Sequence, residues 1–161
     1  MNLVKVISKF INAECSVCEA NLFCFIPDEN IITFTFQDDY ESNFEWKKYL
    51  KNCFNFELTN ENLFSMSILH ELGHYHTINL FNPTEWEEQA TEMVLEKVPE
   101  EERIQSYFKM PIEQAATAWA VKYYNENELK MRKWNHRFNC AIKHYEKKHP
   151  IHFSKSLLTK L

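Results

Sequence analysis

A single glycine, Gly73, serves a chain of 161 residues. Tight two-residue hairpins and phosphate-cradling loops both draw on glycine, whose missing Cβ opens conformations that other residues reach only under strain. A chain this poor in glycine is pushed toward helices and away from nucleotide-binding loops. Its punctuation falls to proline, at Pro27, Pro83, Pro99, Pro111 and Pro150. Core material is plentiful: 45% of the residues are hydrophobic and 15% aromatic, which excludes a disordered chain. The length suits one domain spanning 1–161.

The setting of the glycine says more than its rarity. It lies in His70-Glu71-Leu72-Gly73-His74, within a run from Leu63 to Ile78 that reads as one amphipathic helix. Phe64, Ile68, Leu72 and Tyr75 form an inward stripe at helical spacing. That stripe places His70 and His74 on a neighbouring face, at the edge of the core. Two histidines four apart on a helix project side by side. They can hand two imidazole nitrogens to one zinc ion, with Glu71 where a metallopeptidase keeps its general base. The pattern is short enough to arise by chance, so its surroundings decide its weight.

Around it the chain reads mostly as helices. Leu3, Val4, Ile7, Phe10 and Ile11 make an N-terminal amphipathic helix. Leu22 to Ile26 and Ile31 to Phe36 read as two strands of a hairpin about Pro27-Asp28-Glu29-Asn30. A short helix is expected from Asn43 to Phe54, and Thr59 or Asn60 as the cap of the histidine helix. Asn82-Pro83-Thr84 breaks that helix, and another restarts at Glu85 and runs to about Lys97. Pro99-Glu100-Glu101-Glu102 punctuates again before a short helical stretch to Phe108. Pro111 opens the next helix, and a further one follows Asn125 until Pro150. Phe153 to Leu161 is expected to be loosely attached.

A catalytic zinc usually takes three protein ligands and leaves the fourth position for water. Most downstream glutamates belong to polar helix faces. Glu113 differs: it sits in the first turn of an otherwise small and apolar helix, on one face with Ala116, Thr117 and Ala120. Such a face can approach another helix closely, and Gly73 offers the matching slot. A carboxylate there needs a partner, which a zinc ion would be. The alternative is a first-turn carboxylate that merely complements the helix dipole.

His70-Glu71-Leu72-Gly73-His74 followed by Pro111-Ile112-Glu113-Gln114-Ala115-Ala116-Thr117-Ala118-Trp119-Ala120 resembles the ImmA/IrrE-type zinc metallopeptidases of bacteria, phages and mobile elements. The resemblance spans roughly residues 22–125. It implies His70, His74 and Glu113 as zinc ligands and Glu71 as the catalytic base. It also implies an α+β, mostly helical, zincin-like fold with the small sheet (hairpin about 22–36) beside the zinc helix. The span from His74 to Glu113 exceeds the family's usual one. An extra helical insert is therefore placed at about Asn82 to Phe108, with Glu92 or Glu96 as alternative third ligands. The implied substrate is a protein or peptide, such as a repressor-like regulator. The alternative function is a zinc-binding regulatory protein that docks without hydrolysis; the intact Glu71 argues against it. Oxyanion donors are sought among His76, Tyr75, Tyr123, Tyr124 and His136.

Charge and cysteine usage complete the expectations. Net charge is −5, and no clustered basic face signals nucleic acid. The basic stretch from Lys130 to Lys148 reads as a solvated helix face. No apolar run approaches the roughly 20 residues that span a bilayer. Met1 to Ala13 does not read as a secretory leader. The five cysteines are odd in number, and Cys15-x-x-Cys18 lacks two further ligands for a metal. A cytoplasmic protein with reduced thiols is expected.

Overall fold

The computed structural model describes residues 2–35, 40–82, 84–85, 88 and 100–148. These form an α+β arrangement, mostly helical, with one three-stranded sheet. Helix α1 (Leu3–Phe10) starts where the Asn2 side chain accepts from the Lys5 amide, and it buries Leu3, Val6, Ile7 and Phe10. Val4, expected in its stripe, faces solvent and Val6 takes the inward position. The left-handed turns that glycine would ordinarily fill fall to Asn12, Ala13, Asn30 and Asn55, with φ between 50° and 55°. Asparagine tolerates that region best among the other residues, so three of these four positions carry it.

The expected hairpin is present, but shorter: β2 (Cys24–Ile26) pairs antiparallel with β3 (Ile31–Phe34). The Leu22 carbonyl accepts from the Thr33 hydroxyl (2.8 Å) just before β2 begins. Phe36 lies outside the described residues. A third strand was not legible. This is β1 (Ser16–Glu19), which pairs parallel with β3 on its other side and makes β3 the central strand. β1 carries no apolar alternation; main-chain bonds at its ends, Ser16 N–H to Asn30 O and Ala20 N–H to Phe34 O, hold it in place. It runs through the Cys15-x-x-Cys18 segment and leaves Cys15 buried but Cys18 exposed.

Helix α2 (Tyr40–Phe54) leads to the central helix, α3 (Leu63–Thr77), which a short 3-10 turn (Ile78–Leu80) continues. Its N-cap is Asn62, not Thr59 or Asn60. The Asn62 side chain reaches back, accepting from the Thr59 amide (2.7 Å) and donating to the Glu57 carbonyl (3.0 Å). Asn82 and Glu85 exchange reciprocal bonds, a capping box at the expected helix restart. Apart from residues 84, 85 and 88, the helix expected to Lys97 lies outside the described residues, as do Glu92 and Glu96. So do Pro150 and the stretch from Phe153 to Leu161.

Beyond that stretch come α4 (Glu100–Lys109), α5 (Pro111–Glu126) and α6 (Glu128–Lys148). Glu100 to Glu102, expected as punctuation, open α4; acidic residues suit the first turn of a helix. Pro111 stands at the start of α5 as expected. α3 is the hub: β2 and β3 pack against it from one side, and α5 and α6 from others. Phe34, Ile68, Met66, Leu69, Met131 and Phe138 are almost fully buried there. Phe10, Phe64 and Phe138 meet within ring-centroid distances of 5.0–5.3 Å and tie α1, α3 and α6 together. A polar thread crosses this core: Ser65 donates to Asn135 (2.5 Å), which donates to the Tyr124 hydroxyl (2.8 Å). Among the described residues, no helix is long and apolar enough to cross a membrane.

Candidate metal centre

The two histidines of α3 and Glu113 of α5 converge. One ligating atom from each of His70, His74 and Glu113 lies within 4.8 Å of the others. Glu113 Oε2 is 2.9 Å from His70 Nε2 and 3.4 Å from His74 Nε2. The imidazole rings stand nearly perpendicular, 4.8 Å apart. Four residues on a helix place them side by side; the spacing of α3 from α5 brings the carboxylate. That spacing depends on Gly73. A Cβ built there would run into the Ala116 carbonyl, whose carbon is 2.9 Å away. Ala116, Thr117 and Ala120 are buried without measurable exposure, so the small face of α5 does seat on α3.

The centre lies deeper than the sequence suggested. His70, Glu71 and His74 are all buried rather than set at the edge of the core, because α5 covers the face the inward stripe leaves open. Burial raises the pKa of Glu113, but hydrogen bonds and charge from His70 and His74 outweigh it. The carboxyl is held far below its usual range. Glu71 responds the opposite way. Burial pushes it up to about 7, with the Glu113 charge adding; the His74 charge and a backbone hydrogen bond from Phe25 pull it down only in part. One carboxylate is thus fixed as an anion against two imidazoles. The other stands outside the cluster, poised between its two protonation states near neutral pH.

The wall around this cluster is aromatic. The Trp46 ring meets His70 edge-on at 5.8 Å, and Tyr49 stacks on Phe108 at 5.1 Å. Burial, Cys53 and Glu113 push the Tyr49 hydroxyl up to about 12. Tyr107, on α4, was missed by sequence reasoning. Burial and the charges of Glu113 and Glu71 raise its pKa well above the ordinary value, and its hydroxyl hydrogen-bonds Glu113. The available signal was its place just before the turn into α5, where the Met110 amide bonds the Tyr107 carbonyl (3.1 Å). Cys24 on β2 is also near; burial, then Glu71 and Glu113, push its thiol up to about 11, which leaves it a poor nucleophile.

Each of the oxyanion candidates named from the sequence has a neighbour of its own. His76 pairs with Glu14 (2.9 Å) and stacks on Trp119. Tyr123 stacks on the same Trp119 and accepts from Lys130. Tyr124 joins Asn135, Tyr75 meets Phe25 edge-on, and His136 is exposed beside Cys140. Comparison with family models, with curated proteins and with solved structures finds no match to this chain.

Two imidazole nitrogens and one carboxylate oxygen are a donor set that suits zinc. The fit rests on their mutual distances and on a buried carboxylate that both imidazoles approach. The cluster leaves Glu71 unengaged as a ligand while holding it on the same helix.

Proposed function

We propose that this chain is a zinc-dependent metallopeptidase with a zincin-like arrangement, hydrolysing peptide bonds of a protein substrate. His70, His74 and Glu113 hold the metal. The observation that carries the reading is the convergence of these three donors beside a fourth buried group, Glu71, which is not among them. When bound, zinc supplies a Lewis acid that polarises a carbonyl and makes water acidic enough to deprotonate near neutral pH. Glu71 would take the proton of the attacking water and pass it to the leaving amine, as a carboxyl group beside the metal and not bound to it can. The Phe25 backbone N–H restrains the Glu71 carboxylate.

β2 is an edge strand packed on α3, so an extended peptide can align along it by strand addition. The sequence resemblance supports a regulatory protein, such as a repressor, as the substrate. The five thiols are free, which suits a reducing cytoplasm.

The test is metal analysis and proteolysis side by side. Wild type and Glu71→Gln should each carry about one zinc, in line with a three-ligand site, and His70→Ala little. Cleavage of a random-sequence peptide library, read by mass spectrometry, should fall about 100-fold or more in Glu71→Gln. Undiminished cleavage by that variant would remove the base, and wild type without zinc would remove the reading.

A further inference from the structure

Thr117 lies on α5 one turn beyond Glu113, fully buried. A helical serine or threonine commonly turns its hydroxyl back to the carbonyl four residues earlier. Thr77 does so to the Gly73 carbonyl (2.8 Å) and Ser67 to the Leu63 carbonyl (3.1 Å). The hydrogen bond described for Thr117 crosses to α3 instead, joining its Oγ1 to His70 Nδ1 at 3.1 Å. The other nitrogen of the same ring, Nε2, faces Glu113.

We propose that Thr117 is the positioning residue of the metal centre: its hydroxyl holds His70 Nδ1 and so fixes the ring with Nε2 turned toward His74 and Glu113. This rests on the metal-binding reading of the three-residue cluster. An imidazole that binds a metal through Nε2 carries its proton on Nδ1, and that proton needs an acceptor. A hydroxyl oxygen accepts it. The same hydroxyl can donate instead when the ring proton sits on Nε2 and bonds Glu113. A carboxylate or carbonyl at position 117 would serve only the first of these arrangements. Threonine adds stiffness, because its branched Cβ restricts χ1 in a helix and leaves the hydroxyl few directions to take. Glu113 and Thr117 stand four apart on one face, so α5 delivers the third ligand and the restraint on the first as one rigid unit.

The test compares Thr117→Val, which keeps the shape and removes the hydroxyl, with Thr117→Ser, which restores it. Zinc affinity is measured by chelator competition on the full chain. Thr117→Val should bind about 10- to 100-fold more weakly, and Thr117→Ser should remain within about threefold of wild type. Histidine 15N spectra of zinc-loaded wild type should place the His70 proton on Nδ1. Undiminished affinity in Thr117→Val overturns the role given to Thr117. Should that variant fail to fold, weakened binding by a folded Thr117→Ser, or an unprotonated His70 Nδ1 in the loaded wild type, overturns it equally. Wild type that binds no zinc overturns the metal reading itself, a result distinct from either.

Discussion

Helix α3 carries two histidine–glutamate pairs of the same length and opposite character. His70 Nε2 meets Glu113, and His76 Nε2 meets Glu14, both at 2.9 Å. The first pair is 8% and 7% exposed at the side chains, the second 32% and 34%. Around the first, His74 adds a third donor and an aromatic wall stands close by. Around the second, the His76 ring lies flat on Trp119, and Glu14 comes from the loop after α1. An exposed pair of this kind contributes about 0–1 kcal/mol, because water competes for both partners. The buried pair is different in kind, since removing one partner strands the others without solvent. Contact distance therefore does not set the two apart; burial and the convergence of three donor side chains do.

The comparison breaks most sharply at the two glutamates. Glu113→Ala should lower zinc affinity by more than about 100-fold, beyond the range seen when only a supporting contact is lost. Glu14→Ala should leave affinity within about twofold, because it touches a histidine that binds nothing else in the cluster. Chelator competition on the two variants reads both. Equal losses would mean that the exposed pair belongs to the site after all.

The legible part of this centre was its local part. Spacing alone pairs His70 with His74, and the small face of Glu113, Ala116, Thr117 and Ala120 pointed to the slot at Gly73. The hairpin about Asn30 was readable because Ile32, Phe34 and Phe36 alternate with Thr33 and Thr35 in the sequence and the turn residues announce themselves, although Thr33 proves buried as well. β1 was not, since its four residues have no alternation and owe their strand geometry to partners distant in sequence. Nor was Tyr107, whose relevance arises only when the turn at Met110 folds α4 back beside α5. The depth of the histidines was misjudged for a similar reason. A helix stripe shows which face is apolar, not whether another helix will cover the face beside it.

Glu71 extends the contrast to a carboxyl held against its own ionisation. Its pKa stands at about 7 against an ordinary 4.5, so the folded metal-free protein binds more protons than the unfolded chain between these values. Stability attributable to this group is therefore lost as pH rises from about 4.5 to about 7, by up to roughly 3 kcal/mol. Glu113 has the opposite sign: its depressed pKa adds stability above the ordinary carboxylate range, lost on acidification. Denaturant unfolding of metal-free wild type and Glu71→Gln separates them. The variant's advantage should grow across pH 4.5–7 and then level off. An advantage that stays constant across that window would mean that Glu71 ionises as freely as an exposed glutamate.

The smallest of these effects tests what holds the buried pair together. Gly73→Ala would set a methyl group against the Ala116 carbonyl, with the carbonyl carbon at 2.9 Å and the Cα at 3.0 Å. Those neighbours are helix backbone and cannot rotate away, so α5 must shift outward. The overpacking should cost about 1–3 kcal/mol, partly offset by the roughly 1 kcal/mol by which alanine favours a helix over glycine. Glu113 rides on α5 while both histidines ride on α3, so a displacement too small to unfold the chain still separates the donors. The expected signature is a modest fall in unfolding midpoint with a disproportionate fall in zinc affinity. The His76–Glu14 contact joins α3 to the loop after α1, so a shift in α5 reaches it only indirectly, through Trp119 on which the His76 ring lies. Zinc affinity that tracks stability one for one would mean that the site tolerates the displacement, and that the glycine is kept for packing alone.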